Sequence, residues 1–174
     1  MYKVNAMKYW FSLLLSIVGL CCLAQNSSNR KAQGFFEKAG PYIQKQDYVL
    51  AAQNLESAIQ EDPQFQAAFI LLGDIYRIQK KYTEGKASFE KAVAINRNVA
   101  PQVIFGLAET EFATQQYEKA KQHFTDFLSL DASSDRAKKA KKYLSDCDFA
   151  IVAIKKPVKY APTKLGDGVN TSDA

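Results

Sequence analysis

Between Phe35 and Ala132, large and small side chains return at fixed intervals. The clearest stretch places Phe69, Leu72, Gly73 and Tyr76 ahead of Gly85, Phe89 and Ala92. Displaced by 34 positions toward the N-terminus, the same slots hold Phe35, Lys38, Ala39, Tyr42, Ala51, Leu55 and Ala58, with Pro63 after them. Displaced by 35 positions the other way, they hold Ile104, Leu107, Ala108, Glu111, Ala120, Phe124 and Phe127. Apolar spacings of three and four predict helices with one buried face, two to each unit. Polar tripeptides divide each pair: Gln46-Asp47-Tyr48, Lys80-Lys81-Tyr82 and Gln115-Gln116-Tyr117, a turn and then a Tyr that opens the second helix. Antiparallel helices cross closely only where side chains are small, so Gly73 is expected against Gly85. Ala39, Ala51, Ala108 and Ala120 are the matching structural positions of the outer units. Two residues break the pattern. Pro41 lacks a backbone donor and should kink or end its helix. Glu111 puts a charge where an apolar residue belongs.

These slots resemble the tetratricopeptide repeat, a helix-turn-helix unit with a period of ~34 residues. The fold expected is all-α: a right-handed superhelix of three repeats, 32–65, 66–99 and 101–133, after a linker at 25–31. One hairpin cannot bury its apolar face alone, so neighbours must stack. The resemblance also implies a concave face lined by the first helix of each repeat. The partner-binding candidates on it are Phe36, Ile43, Ile70, Asp74, Arg77, Phe105, Glu109 and Phe112. An apolar stripe on an exposed concave face invites a partner segment or the chain's own tail. Asp74 and Arg77, three residues apart, could instead pair with each other. Repeat domains that grip the acidic C-termini of chaperones use Lys and Asn on this face, and those residues are missing here.

After Ala132 the composition changes. Ser133 or Ser134 can cap a helix beginning near Asp135. Ala137, Ala140, Tyr143, Leu144, Cys147, Ile151 and Ile154 then mark one apolar face, and a capping helix is expected over 134–156. Arg136, Lys138, Lys139, Lys141 and Lys142 load its first half with positive charge, either as a solvated face or as a site for an acidic partner or lipid head groups. Pro157 ends the helix, and 157–174 reads as an extended tail with too few apolar residues to fold alone.

The N-terminus has the plan of a secretory signal over 1–24. Lys3 and Lys8 precede an apolar stretch from Tyr9 to Leu23, and Cys22-Leu23-Ala24 supplies the small residues of a cleavage site, with Gln25 as the first mature residue. The apolar run is short for a membrane span of ~20 residues. Acylation at Cys21 or Cys22 fits poorly, because Leu20 is bulky where a lipoprotein signal wants a small residue. Cleavage removes two lysines and no acid, taking the formal charge from +5 to +3. Of three cysteines only Cys147 then remains, so no intramolecular disulfide can form.

No phosphate-binding glycine loop, metal-spaced Cys or His pair, or nucleophile elbow occurs. The single His, His123, reads as a structural residue on a helix. No catalytic residue, metal, cofactor or small-molecule substrate is expected. Nucleic acid is not expected either, because the groove lacks a basic track.

Ser145-Asp146-Cys147-Asp148-Phe149-Ala150, Ala153-Ile154-Lys155-Lys156-Pro157-Val158 and Leu165-Gly166-Asp167-Gly168-Val169-Asn170 resemble a family of Bacteroidota envelope proteins. In that family a signal peptide and tetratricopeptide repeats lead into a WD-like propeller and an OmpA-like domain, neither of which lies within these 174 residues. The resemblance implies an exported scaffold, periplasmic or at the periplasmic face of the outer membrane, that binds an envelope protein or peptide segment. The alternative is a spacer module with no ligand of its own, a fragment of an OmpA-like or type IX secretion and gliding protein.

Overall fold

Each polar tripeptide of the sequence ends one helix and starts the next. A computed structural model describes residues 26–156; the expected signal at 1–24 and tail at 157–174 lie outside the described residues. The described residues form helices α1 (Arg30–Gln44), α2 (Tyr48–Glu61), α3 (Gln66–Ile78), α4 (Tyr82–Ile95), α5 (Pro101–Ala113), α6 (Tyr117–Leu130) and α7 (Asp135–Lys155), with no strand among them. The chain is all-α, stacked as a superhelix in which each helix packs on the next.

The three hairpin turns share one geometry. Gln46, Lys80 and Gln115 adopt φ of 58°, 60° and 62°, the left-handed region. In each turn the next residue's amide reaches back to the helix: Asp47 to the Tyr42 carbonyl, Lys81 to Tyr76, Gln116 to Glu111. This is the six-to-one closure that satisfies the last carbonyls of a helix. Tyr48, Tyr82 and Tyr117 then open α2, α4 and α6, as the sequence led us to expect.

Small residues set the crossings. Ala39, Ala51, Gly73, Gly85, Ala108 and Ala120 are all buried. A Cβ on Gly85 would lie 3.3 Å from the Gly73 carbonyl oxygen, which confirms the expected crossing of α3 and α4. Phe89 exploits the space. A Cβ on Gly73 would sit 2.9 Å from its ring and a Cβ on Gly106 only 2.8 Å from it, so the ring is held between α3 and α5. Gly106 lies outside the repeated slots. The slot that Phe89 fills holds Leu55 in the first repeat and Phe124 in the third, both fully buried. Leu55 belongs to the core cluster of the first repeat with Leu72, and Phe124 to that of the third with Phe127 and Ala140.

Three expectations change. Pro41 does not end its helix, because α1 runs on to Gln44. Pro41 is exposed and one turn from the end, so the carbonyl it leaves without a donor is open to water. The expected linker is shorter than 25–31. Asn29 caps α1 by accepting from the Lys31 and Ala32 amides, while its own side chain donates to the Glu61 carbonyl at 2.8 Å. Glu111, finally, is buried in its apolar slot because it has a partner. His123 Nδ1 lies 2.7 Å from Glu111 Oε2, joining α5 to α6. That hydrogen bond raises the His123 pKa above its ordinary value, outweighing the opposing effect of burial.

Gly73→Leu or Gly106→Ala is expected to destabilise the domain by about 1–3 kcal/mol, because the Phe89 ring cannot retreat. Gly34→Ala, with open space around its Cβ, should instead stabilise by roughly 0.5–1 kcal/mol. Urea unfolding followed by circular dichroism checks all three. Lys80→Gly removes an exposed side chain from a left-handed position and should raise stability by about 1 kcal/mol in the same assay.

The His123–Glu111 pair makes stability depend on pH. Its charge contribution is complete below the unfolded imidazole value of 6.5 and is lost as pH rises through the higher folded value. The urea midpoint should therefore fall above neutrality, and Glu111→Gln should flatten that part of the profile. His123→Ala leaves a buried carboxylate without its partner and should cost about 2 kcal/mol below neutral pH.

Candidate functional site

The first helices of the repeats, α1, α3 and α5, line one face, and α7 closes its C-terminal end. Ser134 holds α7 in place by accepting from the Ala137 amide as the N-cap, one of the two serines expected there. Its buried side is Ala137, Ala140 and Cys147. Burial pushes the Cys147 thiol up to about 11, which makes it a packing residue and an unreactive one.

Arg77 organises the middle of this face. Its guanidinium donates to Asp74 Oδ1 at 2.9 Å and to Glu109 Oε2 at 3.0 Å, bridging α3 and α5. The pairing of Asp74 with Arg77 that the spacing allowed is therefore present, extended by Glu109. The other Glu109 oxygen accepts from the Tyr143 hydroxyl at 3.4 Å, which brings α7 into the network. Burial, and then the neighbouring Glu109 carboxylate, raises the Tyr143 pKa. Arg77 Nε is buried without a partner of its own.

Two clefts flank this network. One, of about 310 Å³, is lined by Arg77, Tyr82, Glu109, Phe112, Ala113 and Tyr143. Its aromatic wall is preformed, since the Phe112 ring centroid lies 5.0 Å from that of Tyr143 and 5.3 Å from that of Tyr117. The other, of about 190 Å³, is lined by Asp74, Arg77, Gln102, Phe105, Gly106, Glu109, Arg136 and Lys139. They share Arg77 and Glu109, so they are neighbouring halves of one groove.

Of the sequence-derived candidates, Asp74, Arg77, Phe105, Glu109 and Phe112 come together here. Phe105 is the most buried of them. It is 5% exposed, edge-on to Phe124 and Phe127 at 5.7 and 5.1 Å, and lines the smaller cleft at its floor with most of the ring buried. Phe105 also shares its core cluster with Ala137 and Ala140 of α7. Ile70 is half-buried beside Val93 and Val99. Phe36 is half-buried with its ring 4.9 Å from that of Phe65, and Ile43 packs with it in the first repeat. None of these three lines either cleft. Tyr82, Arg136, Lys139 and Tyr143 are the groove residues that sequence reasoning left on turns or on a cap. A signal was present, because Arg136, Lys139 and Tyr143 follow one another at spacings of three and four along one side of α7.

Comparison with known proteins agrees with this geometry. Residues 67–99 match the family model described as a tetratricopeptide repeat. No curated protein sequence matches the chain. Among solved structures, the chain is similar to the first repeat domain of human RPAP3, with 21% identity and a TM-score of 0.61 over 75% of this chain and 100% of that one. It is similar to the Sgt2 repeat domain of Aspergillus fumigatus, with 12% identity and a TM-score of 0.60 over 86% and 96% of the two chains. The second repeat domain of human RPAP3, in complex with the HSP70 peptide SGPTIEEVD, is similar at 16% identity and a TM-score of 0.59 over 68% and 95%. Residues 30–155 thus have the tetratricopeptide-repeat fold, three helical hairpins closed by a seventh helix.

Proposed function

We propose that this chain is a protein–protein interaction scaffold, holding a segment of a partner protein in the groove between α3, α5 and α7. The observation that carries the proposal is the convergence of Arg77, Glu109, Phe112 and Tyr143 on one open cleft while they are already bonded or packed to one another. A site whose side chains are held in place before binding loses little entropy when a ligand arrives. Phe112, with Ile70 further along the same face, supplies apolar contact; Asp74, Arg77 and Glu109 set orientation. Phe36 and Ile43 extend the surface into the first repeat. The structural neighbour with a bound HSP70 peptide supports a peptide as the kind of ligand.

The setting belongs to the same proposal. The charged, apolar and small-residue segments up to Ala24 support export, and the motifs from Ser145 onward support a cell-envelope protein of the Bacteroidota, at the periplasm or the outer membrane. The partner would then be an envelope protein, or a propeller or OmpA-like domain carried by the same polypeptide. Among the described residues, no helix is long and apolar enough to cross a membrane.

Selection of random linear peptides displayed on phage against the full chain tests the binding reading. Selected peptides should lose at least about tenfold in affinity for an Ile70→Ala, Phe112→Ala double variant that circular dichroism shows to be folded. Undiminished binding to that variant would remove the groove from consideration. For export, intact-mass analysis of envelope fractions should show Gln25 as the first residue. A diacylglycerol mass on Cys21 or Cys22 would replace cleavage at Ala24 by lipoprotein processing.

A further inference from the structure

The basic residues of α7 are not equivalent. Lys138 is paired with Asp135 at 2.9 Å and Lys142 with Asp146 at 2.6 Å, each within the helix. Arg136 and Lys139 are exposed and form no ion pair among the described residues. They are also the two cations of α7 that line the groove, opposite Asp74, Gln102 and Glu109. Tyr143, one turn further on the same side, lines the adjoining aromatic cleft. Positions 136, 139 and 143 thus form one stripe, cationic at its start and aromatic at its end.

Within the repeats the groove holds one cation and two acids, Arg77 against Asp74 and Glu109. Arg77 donates to both carboxylates, which leaves one negative charge over before α7 is counted. Arg136 and Lys139 turn that balance to a net single positive charge along the groove, and neither is held in an ion pair among the described residues. Unpaired cations at the edge of a partly enclosed cleft attract a carboxylate more strongly than the same charges on an open surface.

We propose that α7 reads the ligand: Arg136 and Lys139 bind an acidic side chain or C-terminal carboxylate lying next to a large apolar side chain, which enters the cleft of Tyr82, Phe112 and Tyr143. The occupant is an extended segment of another protein carrying that two-part motif, and its acidic group lies toward the N-terminus of α7. This inference rests on the groove being the binding site. It differs from recognition by the repeats alone, because the charge-reading residues belong to the closing helix.

The peptides selected on the full chain provide the test. The expected consensus pairs an aromatic or large aliphatic residue with Asp or Glu. Arg136→Glu with Lys139→Glu should weaken those peptides by about tenfold or more, and a fresh selection on that variant should replace the acid by Lys or Arg. Lys138→Glu with Lys141→Glu changes the net charge equally on the opposite side of the same helix, and should change affinity by less than about threefold. All four residues are exposed, so folding should survive, and circular dichroism confirms it. Peptides that depend on Ile70 and Phe112 but not on Arg136 and Lys139 would overturn this inference and leave the groove function standing. Equal losses in both charge-reversed variants would overturn it as general electrostatic attraction. No enriched peptide, with binding to phosphatidylglycerol vesicles abolished by the Arg136 and Lys139 changes, would assign the pair to a lipid surface and overturn both readings.

Discussion

The close crossing of the two helices in each repeat is the constraint on which the rest depends. At Gly73 and Gly85 the backbones approach until even a methyl group would press on a carbonyl. That approach opens room on the far side of Gly73 for the Phe89 ring, which then reaches Gly106 of the next repeat. One fully buried ring thus links the geometry inside a hairpin to the stacking of hairpins. In a solenoid each unit touches only its neighbours, so stability and curvature both pass through such contacts.

Curvature gives the groove its width, but α7 gives it a wall. Phe124 stacks on Tyr143 with ring centroids 4.9 Å apart and planes 7° from parallel, which anchors α7 to the third repeat. The same Tyr143 turns its hydroxyl to Glu109 and so joins the charge network of Arg77. Packing and recognition therefore meet in one side chain. Beyond the groove, Phe149 and Val152 of α7 remain exposed, so the closing helix still carries an apolar strip that the described residues leave uncovered.

The third repeat also holds a polar pair where its neighbours have tyrosines. Glu111 occupies the slot of Tyr42 and Tyr76, and His123 supplies the partner that a buried carboxylate needs. A buried pair of this kind is weak evidence of added stability, since desolvation opposes the attraction. It does tie α5 to α6 at a fixed register, and it makes the third repeat the pH-sensitive part of the superhelix.

The sequence alone determined the helical hairpins, their number and their crossing points. Those depend on local spacing and on side-chain size, which are visible in Gly73, Gly85 and the polar tripeptides before Tyr48, Tyr82 and Tyr117. It also placed Asp74 and Arg77 one turn apart, close enough to pair. Tertiary structure decided the rest. Phe105 and Phe112 look alike in the sequence, yet Phe105 is nearly buried at the floor of one cleft against Phe124 and Phe127, while Phe112 forms the aromatic wall of the other with Tyr143 of α7. Glu111 read as a defect until folding brought His123 onto it from the next helix. Pro41 read as a break because its tolerance depends on an exposed final turn. Arg136 and Lys139 belonged to a uniform run of positive charge until packing turned two of its members toward the groove. Which residues repeat is a one-dimensional property of this chain; which of them meet a ligand depends on how the closing helix lies across the stack.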